Sequence, residues 1–418
     1  MRVNNLNKVV FSLSARRKRN VVICISFIIF MTWYWTTKPN TVQILEQKTI
    51  LKETINFQLS EDQKDLLSIQ NDQNDISIHG KQLRLYSQVH LANLNDSYSN
   101  SIQLSHLAGV LDHKLFPWIM PKYSDSIELH QSFNGTGIVL CVNNGYTLLA
   151  LTTMKMIRQN LKSNLPFEIF YVGDDDLSVK NRKLLEEIPF VTTIDITKIF
   201  NNSILKIKGW AIKPFALLAS SFRHAMLMDA DVVFLQPPEK LFDLESYKRT
   251  GAFFFHDRSL FIKNQVSLDW VKHIVGEMTS TMKDLRLFNQ KTAHEMESGV
   301  VLIDKMKNFV GLMTVCTLNS AVYQKQSYSK FHGDKETFWI GFETVRALYS
   351  FNANLPGVAG TSSVRENEYV MCGTQILHLD EDKQPLWING GITKSKYDPE
   401  SEVADLHEWG MTKLLLIS

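Results

Sequence analysis

The chain has 418 residues, 44% hydrophobic and 11% aromatic, enough to bury one large core or two ordinary ones. Its 45 Lys and Arg nearly match its 43 Asp and Glu, and six of the bases crowd into residues 1–19. The remainder is mildly acidic, which argues against a nucleic-acid-binding face, and four cysteines are too few for a disulfide scaffold.

The N-terminus comes first. Arg2, Lys8, Arg16, Arg17, Lys18 and Arg19 stand there without a single acid, and VVICISFIIFMTWYW (Val21–Trp35) follows directly. A core helix does not fit behind four consecutive bases at an extreme terminus. A cleaved signal peptide does not fit the bulky exit WYWTTKPN, which has no A-x-A-like site. A signal anchor over residues 20–37 fits best, with residues 1–19 cytosolic and Trp33, Tyr34 and Trp35 as an aromatic belt. The run spans about 22 Å as a helix, which suits the thin bilayer of the early secretory pathway. The expected topology is single-pass type II, with residues 38–104 as a polar lumenal stem and 105–418 as the body. Asn95, Asn134 and Asn201 open N-x-S/T triplets, as a lumenal body would use for N-glycosylation. Cys24 falls in the anchor. Cys141 sits in the core-like run GIVLCV, and Cys316–Cys372 is the expected bridge if one forms.

From Gly137 onward, strand-like runs alternate with helical ones. GIVLCV (137–142) reads as a strand and Tyr146–Asn160 as a helix. FEIFYV (167–172) is a second strand, and GDDDLSVKNRKLLEEI opens a helix with Asp174–Asp176 at its N-cap. WAIKPFALLASSF (210–222) reads as a helix with Pro214 in its first turn. GAFFFHD (251–257), SGVVLIDK (298–305) and GTQILHLD (373–380) are further strands. ETFWIGFETVRALYSF is a helix with Phe338, Phe342, Val345 and Tyr349 on one face. This alternation predicts an α/β fold with a mixed, mostly parallel sheet covered by helices on both faces.

The chemistry concentrates in AMLMDADVVFLQPP (225–238). Two aspartates, Asp229 and Asp231, interrupt an apolar run that reads as buried strand, and buried carboxylates require something positive beside them. That partner can be a Mg²⁺ or Mn²⁺ ion, for which oxygen ligands are suited, or a lysine. Alternatively, the aspartates act on phosphate themselves, as in haloacid-dehalogenase-type phosphohydrolases, or form a structural Asp-x-Asp. The dehalogenase order is wrong here, because that family places D-x-D near the start of its domain and its second acidic motif later. In this chain YVGDDDLS precedes the aspartates. In an open α/β sheet, ligands bind beyond the carboxyl ends of strands, where Asp229 and Asp231 lie.

The ordered set GIVLCVNNGY, LPFEIFYVGDDDLS, GWAIKPFALLASSF, LMDADVVFLQPP, ESGVVLIDK, FHGDKETFW and ILHLDEDKQPLWINGG resembles the fungal Golgi α-1,3-mannosyltransferase family. The resemblance covers roughly two-thirds of the chain and implies a glycosyltransferase-A fold. It also implies Mn²⁺ and GDP-mannose as donor, with mannosylated glycoproteins carrying N- or O-linked glycans as acceptors. Asp229 and Asp231 would hold the metal, and Lys213 would reach the diphosphate, with a solvated surface lysine as its rival reading. Asn143, Asn144, Glu297 and Ser298 would contact the donor, although turn chemistry also accounts for the two asparagines. Asp334 and Glu336 are the best carboxylates for sugar or acceptor hydroxyls, with a helix cap as the rival role for Asp334. HLDEDKQPLW looks like the HxxGxxKPW segment of related retaining enzymes, which makes His378 the expected third metal ligand, with Glu381 replacing the glycine and a core histidine satisfied by backbone hydrogen bonds as the rival reading. A non-catalytic lumenal lectin with the same fold is the alternative from another functional class.

Overall fold

Two β-sheets flank the Asp229–Asp231 loop in the computed structural model, which describes residues 60–69, 75–94, 102–260, 265–365, 368–390 and 408–410. The basic residues 1–19, expected to be cytosolic, the apolar run 20–37 and Asn95 lie outside the described residues. Among those described, no helix is long and apolar enough to cross a membrane.

The elements that position the site are, in chain order, α1 (Ile76–Leu94), α2 (Ile102–Leu115), β1 (Thr136–Cys141), α3 (Thr147–Gln159), β2 (Phe167–Tyr171), β3 (Val191–Asp195), α4 (Ile212–Ala219), β4 (His224–Met228), β5 (Val233–Phe234) and β6 (Ala252–His256). They continue as α5 (Gln265–Val275), β7 (Met296–Asp304), α6 (Lys305–Leu318), α7 (Lys335–Thr344), β8 (Ser350–Phe351), β9 (Gly357–Arg365), β10 (Glu368–Leu379), β11 (Pro385–Asn389) and β12 (Glu408–Gly410). The larger sheet has the order β3-β2-β1-β4-β7-β6-β8. Its pairings are parallel except at β4–β7 and β6–β7, so the sheet is mixed and mostly parallel. The smaller sheet, β12-β9-β10-β11-β5, is antiparallel throughout.

Strand alternation divides the core as the apolar runs require. On β4, Ala225 and Leu227 enter one cluster with α4, α6 and α7, whereas Met226 and Met228 enter the other with α3. Both faces are therefore covered, which is why β4 reads as an unbroken apolar run. The helix expected over 210–222 is shorter, at Ile212–Ala219. Lys305 Nζ takes the carbonyls of Leu217 and Ser220 at 3.0 and 2.5 Å, satisfying the helix end where the chain turns into β4. Likewise α7 stops at Thr344 rather than running to Tyr349. Arg346 adopts a φ of 61° and donates through Nη1 to Glu343 O, and Tyr349 reaches Phe254 from outside the helix, ring centroids 5.6 Å apart.

The stretch read as stem does not stay apart from the body. Leu83, Tyr86 and Val89 of α1 are fully buried. Arg84 donates to Ile274 O, Val275 O and Thr344 O, capping the ends of α5 and α7. At Gly80 a Cβ would fall 2.4 Å from Ile274 O, so only glycine permits that crossing. Two of the polar side chains that made this segment look solvent-facing, Tyr86 and His90, are buried and hydrogen-bonded. Tyr86 donates to Ser126, and His90 pairs with His130 at 3.1 Å. Cys316 carries a free thiol buried in α6, not a bridge, and Cys141 is likewise free.

Candidate active site

Strands β2, β1 and β4 end side by side, and a cavity of about 660 Å³ opens beyond them. Val142 and Asn143 line it from β1, and Val172, Asp175 and Asp176 from β2. Trp210 and Lys213 line it from the α4 segment, and Asp229 and Asp231 from β4. Because β7 runs antiparallel to β4, its first residues lie beside the last of β4. Asp229 N donates to Gly299 O at 2.9 Å, which places Glu297 and Ser298 next to the acid pair.

The positive group beside the aspartates is a lysine. Lys213 Nζ sits 2.7 Å from Asp229 Oδ1 and 2.8 Å from Oδ2, and 4.0 Å from Asp334 Oδ1. Burial alone would lower its pKa, but the Asp229, Asp334 and Glu297 carboxylates outweigh that and hold the ammonium above its ordinary value. Burial pushes Asp229 up to about 6 despite Lys213, with Asp231 and Asp334 adding to the rise. Glu297 rises to about 7, through burial and the neighbouring Asp257 and Asp229 charges.

Asp334 is 3% exposed, and its side chain makes no cap bond to α7. Its Oδ2 is buried without a partner among the described residues. An orphaned buried acceptor costs on the order of 1–3 kcal/mol, and a ligand hydroxyl would satisfy it. Glu297 Oε1 accepts from Gly299 N and Asn389 Nδ2, both at 2.8 Å. Ser298 is buried beside it.

Of the expected residues, Glu297, Ser298, Asp334, Glu336, Asn144 and His378 are not among those that line this cavity, and the last three are committed elsewhere. Glu336 is fully buried with both oxygens occupied, accepting from Glu295 N at 2.9 Å and from Trp339 Nε1 at 2.5 Å. It anchors the start of β7 to α7 and has no oxygen left for a sugar. Asn144 ties two loops together, accepting from Ser178 N and donating to Asp175 O. His378 is 1% exposed, stacked on Trp387 at 3.9 Å and set edge-on to Phe255. Burial lowers its pKa to about 3. Strand alternation does separate it from Leu377 and Leu379, but its face meets those rings rather than the aspartates. Among the described residues, no three His, Cys, Asp or Glu side chains gather where a metal could sit. Asn143 does line the cavity, while its Oδ1 accepts from Gly145 N and Tyr146 N in the turn after β1. Asp174 pairs with Arg182 and Asp176 accepts from Val172 N, so Ser178 caps the following helix. Of the expected glycosylation positions, Asn134 is exposed, and Asn201 closes a turn by accepting from Ser203 N.

Sequence reasoning missed Asn389 and the pair Lys335–Asp257, joined at 2.7 Å. Lys335 sits inside the quoted FHGDKETFW, and Asp257 follows β6, so a basic residue beside Asp334 was a usable signal. Nothing local marks Asn389, whose partner lies 92 residues away.

Residues 135–380 match the family described as "Mannosyltransferase putative". The alpha-1,3-mannosyltransferase MNT2 of Saccharomyces cerevisiae is 28% identical over 63% of this chain and 54% of its own length. MNT3 of the same yeast, also an alpha-1,3-mannosyltransferase, is 26% identical over 64% and 48%. The chain spans about half the length of the curated relatives it matches. Among solved structures, the mannosyltransferase Ktr4p from S. cerevisiae aligns over 75% of this chain and 84% of its own, with 12% identity and a TM-score of 0.34. The family match sets aside the phosphohydrolase alternative, and it extends over more than half of the sequence: the chain belongs to this mannosyltransferase family.

Proposed function

We propose that this protein transfers mannose from GDP-mannose to a mannose hydroxyl of an N- or O-linked glycan, forming an α-1,3 linkage with retention of configuration. The observation that carries the reading is the unpartnered Oδ2 of Asp334, buried beside Lys213 and Asp229 at the carboxyl end of β4. Family membership supports mannose as the transferred sugar, and the relatives' names support the linkage. The mixed sheet, with its strand ends opening on the cavity, supports a glycosyltransferase-A architecture.

Asp229 and Asp231 would hold Mn²⁺, since carboxylate oxygens lining one cavity suit a hard divalent cation. When bound, that ion neutralises charge on the leaving diphosphate. Lys213 holds Asp229 in place and adds a fixed positive charge at the same wall. Asp334 accepts from a sugar hydroxyl. Donor and product are both α, and front-face attack achieves this without a protein nucleophile. The acceptor oxygen bonds to C1, the C1–phosphate bond breaks, and the acceptor proton passes to the departing diphosphate. The basic tail and apolar run at residues 1–37 support a type II Golgi location.

Release of GDP, UDP or other nucleoside diphosphates from a panel of nucleotide sugars, with Mn²⁺ and an α-mannoside, tests the reading. The expected result is release of GDP from GDP-mannose, abolished by EDTA. Turnover of another donor only, or turnover indifferent to EDTA, would contradict it.

A further inference from the structure

Glu297 meets a residue from the second sheet, and that contact has a consequence for turnover. Its Oε1 is held twice, by Gly299 N and by Asn389 Nδ2, each at 2.8 Å. Its Oε2 has no hydrogen-bond partner among the described residues, although the residue is only 9% exposed. A carboxylate with one oxygen clamped from two directions has lost its freedom to rotate. The free oxygen is then held in a fixed direction, and the carboxyl lies close enough to Asp229 and Lys213 to feel their charges.

Asn389 ends β11, whose Trp387 and Ile388 pair with Phe234 and Val233 of β5. β5 begins two residues after Asp231, so β11 is fixed relative to the acid pair. Trp387 and Asn389, two residues apart, share one face of the strand. Both come against Gly299: a Cβ there would lie 3.0 Å from Glu297 Oε1, 3.2 Å from Asn389 Nδ2 and 3.2 Å from the Trp387 ring. The glycine is therefore what allows β7 and β11 to approach closely enough for the amide to reach Glu297.

We infer that Asn389 is a positioning residue: it clamps Glu297 Oε1 so that Oε2 meets a hydroxyl of the hexose being transferred. This rests on the mannosyltransfer reading above and deepens it. The role is local to one hydrogen bond, and it makes the smaller sheet part of the reaction site rather than a cover over it.

A double-mutant cycle tests the inference, using the full-length protein, Asn389→Ala, Glu297→Gln and the combination, with kcat and the Kd for GDP measured for each. Asn389→Ala should lower kcat on the order of ten- to a hundredfold, the range for losing one bond to a charged group and slightly misplacing a contact. Its Kd for GDP should stay within about twofold, since the amide is assigned to act through Glu297 on the sugar and not on the nucleotide. In the Glu297→Gln background the same substitution should add almost nothing, because its route to the sugar is already gone. Asn389→Leu, similar in shape but without the donor, should behave like the alanine variant, and it is read alone if Asn389→Ala fails to fold. Equal losses in both backgrounds, a wild-type kcat, or a loss confined to GDP affinity would each overturn the inference. A wild-type protein that does not turn over GDP-mannose refutes the function proposed above instead, and the cycle is then read on whichever nucleotide sugar it uses.

Discussion

Replacing Lys213 with methionine isolates what this residue does. The side chain is 10% exposed and bridges both oxygens of Asp229, with Asp334 4.0 Å away. Lys213→Met keeps much of the volume but leaves Asp229, Asp334 and Glu297 facing one another without their cation. Breaking a buried pair in this way costs about 3–5 kcal/mol. The cost should depend on pH, with a definite sign. Asp229 and Glu297 already titrate near 6 and 7 in the folded protein, against ordinary values of 3.8 and 4.5. A carboxyl whose folded pKa is raised binds its proton more tightly when folded, so its contribution to stability falls as pH rises from the unfolded pKa through the folded one. Loss of Lys213 raises both further, and each added unit is worth about 1.4 kcal/mol. Urea unfolding of both proteins at pH 5 and pH 7.5 measures this. The variant should be several kcal/mol weaker than wild type at pH 7.5 and closer to it at pH 5. A penalty that does not change with pH, or one below about 1 kcal/mol, refutes the buried-pair account.

Asp231→Asn should reduce mannosyl transfer on the order of 10²–10³-fold, comparable to removing a principal electrostatic stabiliser, while the thermal midpoint stays near that of wild type. Tyr86→Ala, in α1, should destabilise the whole body by about 3–5 kcal/mol, which a denaturant titration would show as a lower midpoint. His90, buried with its pKa lowered to about 3, binds its proton more weakly when folded than unfolded. It should therefore withdraw about 2 kcal/mol of stability as pH falls from 7.5 to 5, and His90→Gln should flatten that part of the profile.

The central sheet was legible because its strands are short apolar runs closed by turns, and the acid pair because carboxylates inside such a run demand a partner. The antiparallel direction of β7 was not legible. SGVVLIDK reads the same in either direction, and only the pairing of Met228 with Val300 reveals it. Helix α1 is hard to read for a physical reason: Arg84, Tyr86 and His90 look solvent-facing, but Tyr86 and His90 are buried and Arg84 half-buried, each with a hydrogen-bond partner far along the chain. Glu336 and His378 show the converse limit. Both residue types suit a site, but one is spent on backbone amides of β7 and the other on a stack with Trp387. Spacing shows which side chains can act together, not which of them folding has already occupied.

The most direct measurement is nuclear magnetic resonance of the product formed by the purified protein from GDP-mannose and an α-mannoside in the presence of Mn²⁺. The predicted result is a new α-anomeric mannose whose linkage shift falls on C3 of the acceptor, absent without the metal and absent in Asp231→Asn. A β-anomeric product, a different transferred sugar, or the same product from Asp231→Asn at wild-type rate would contradict the assignment.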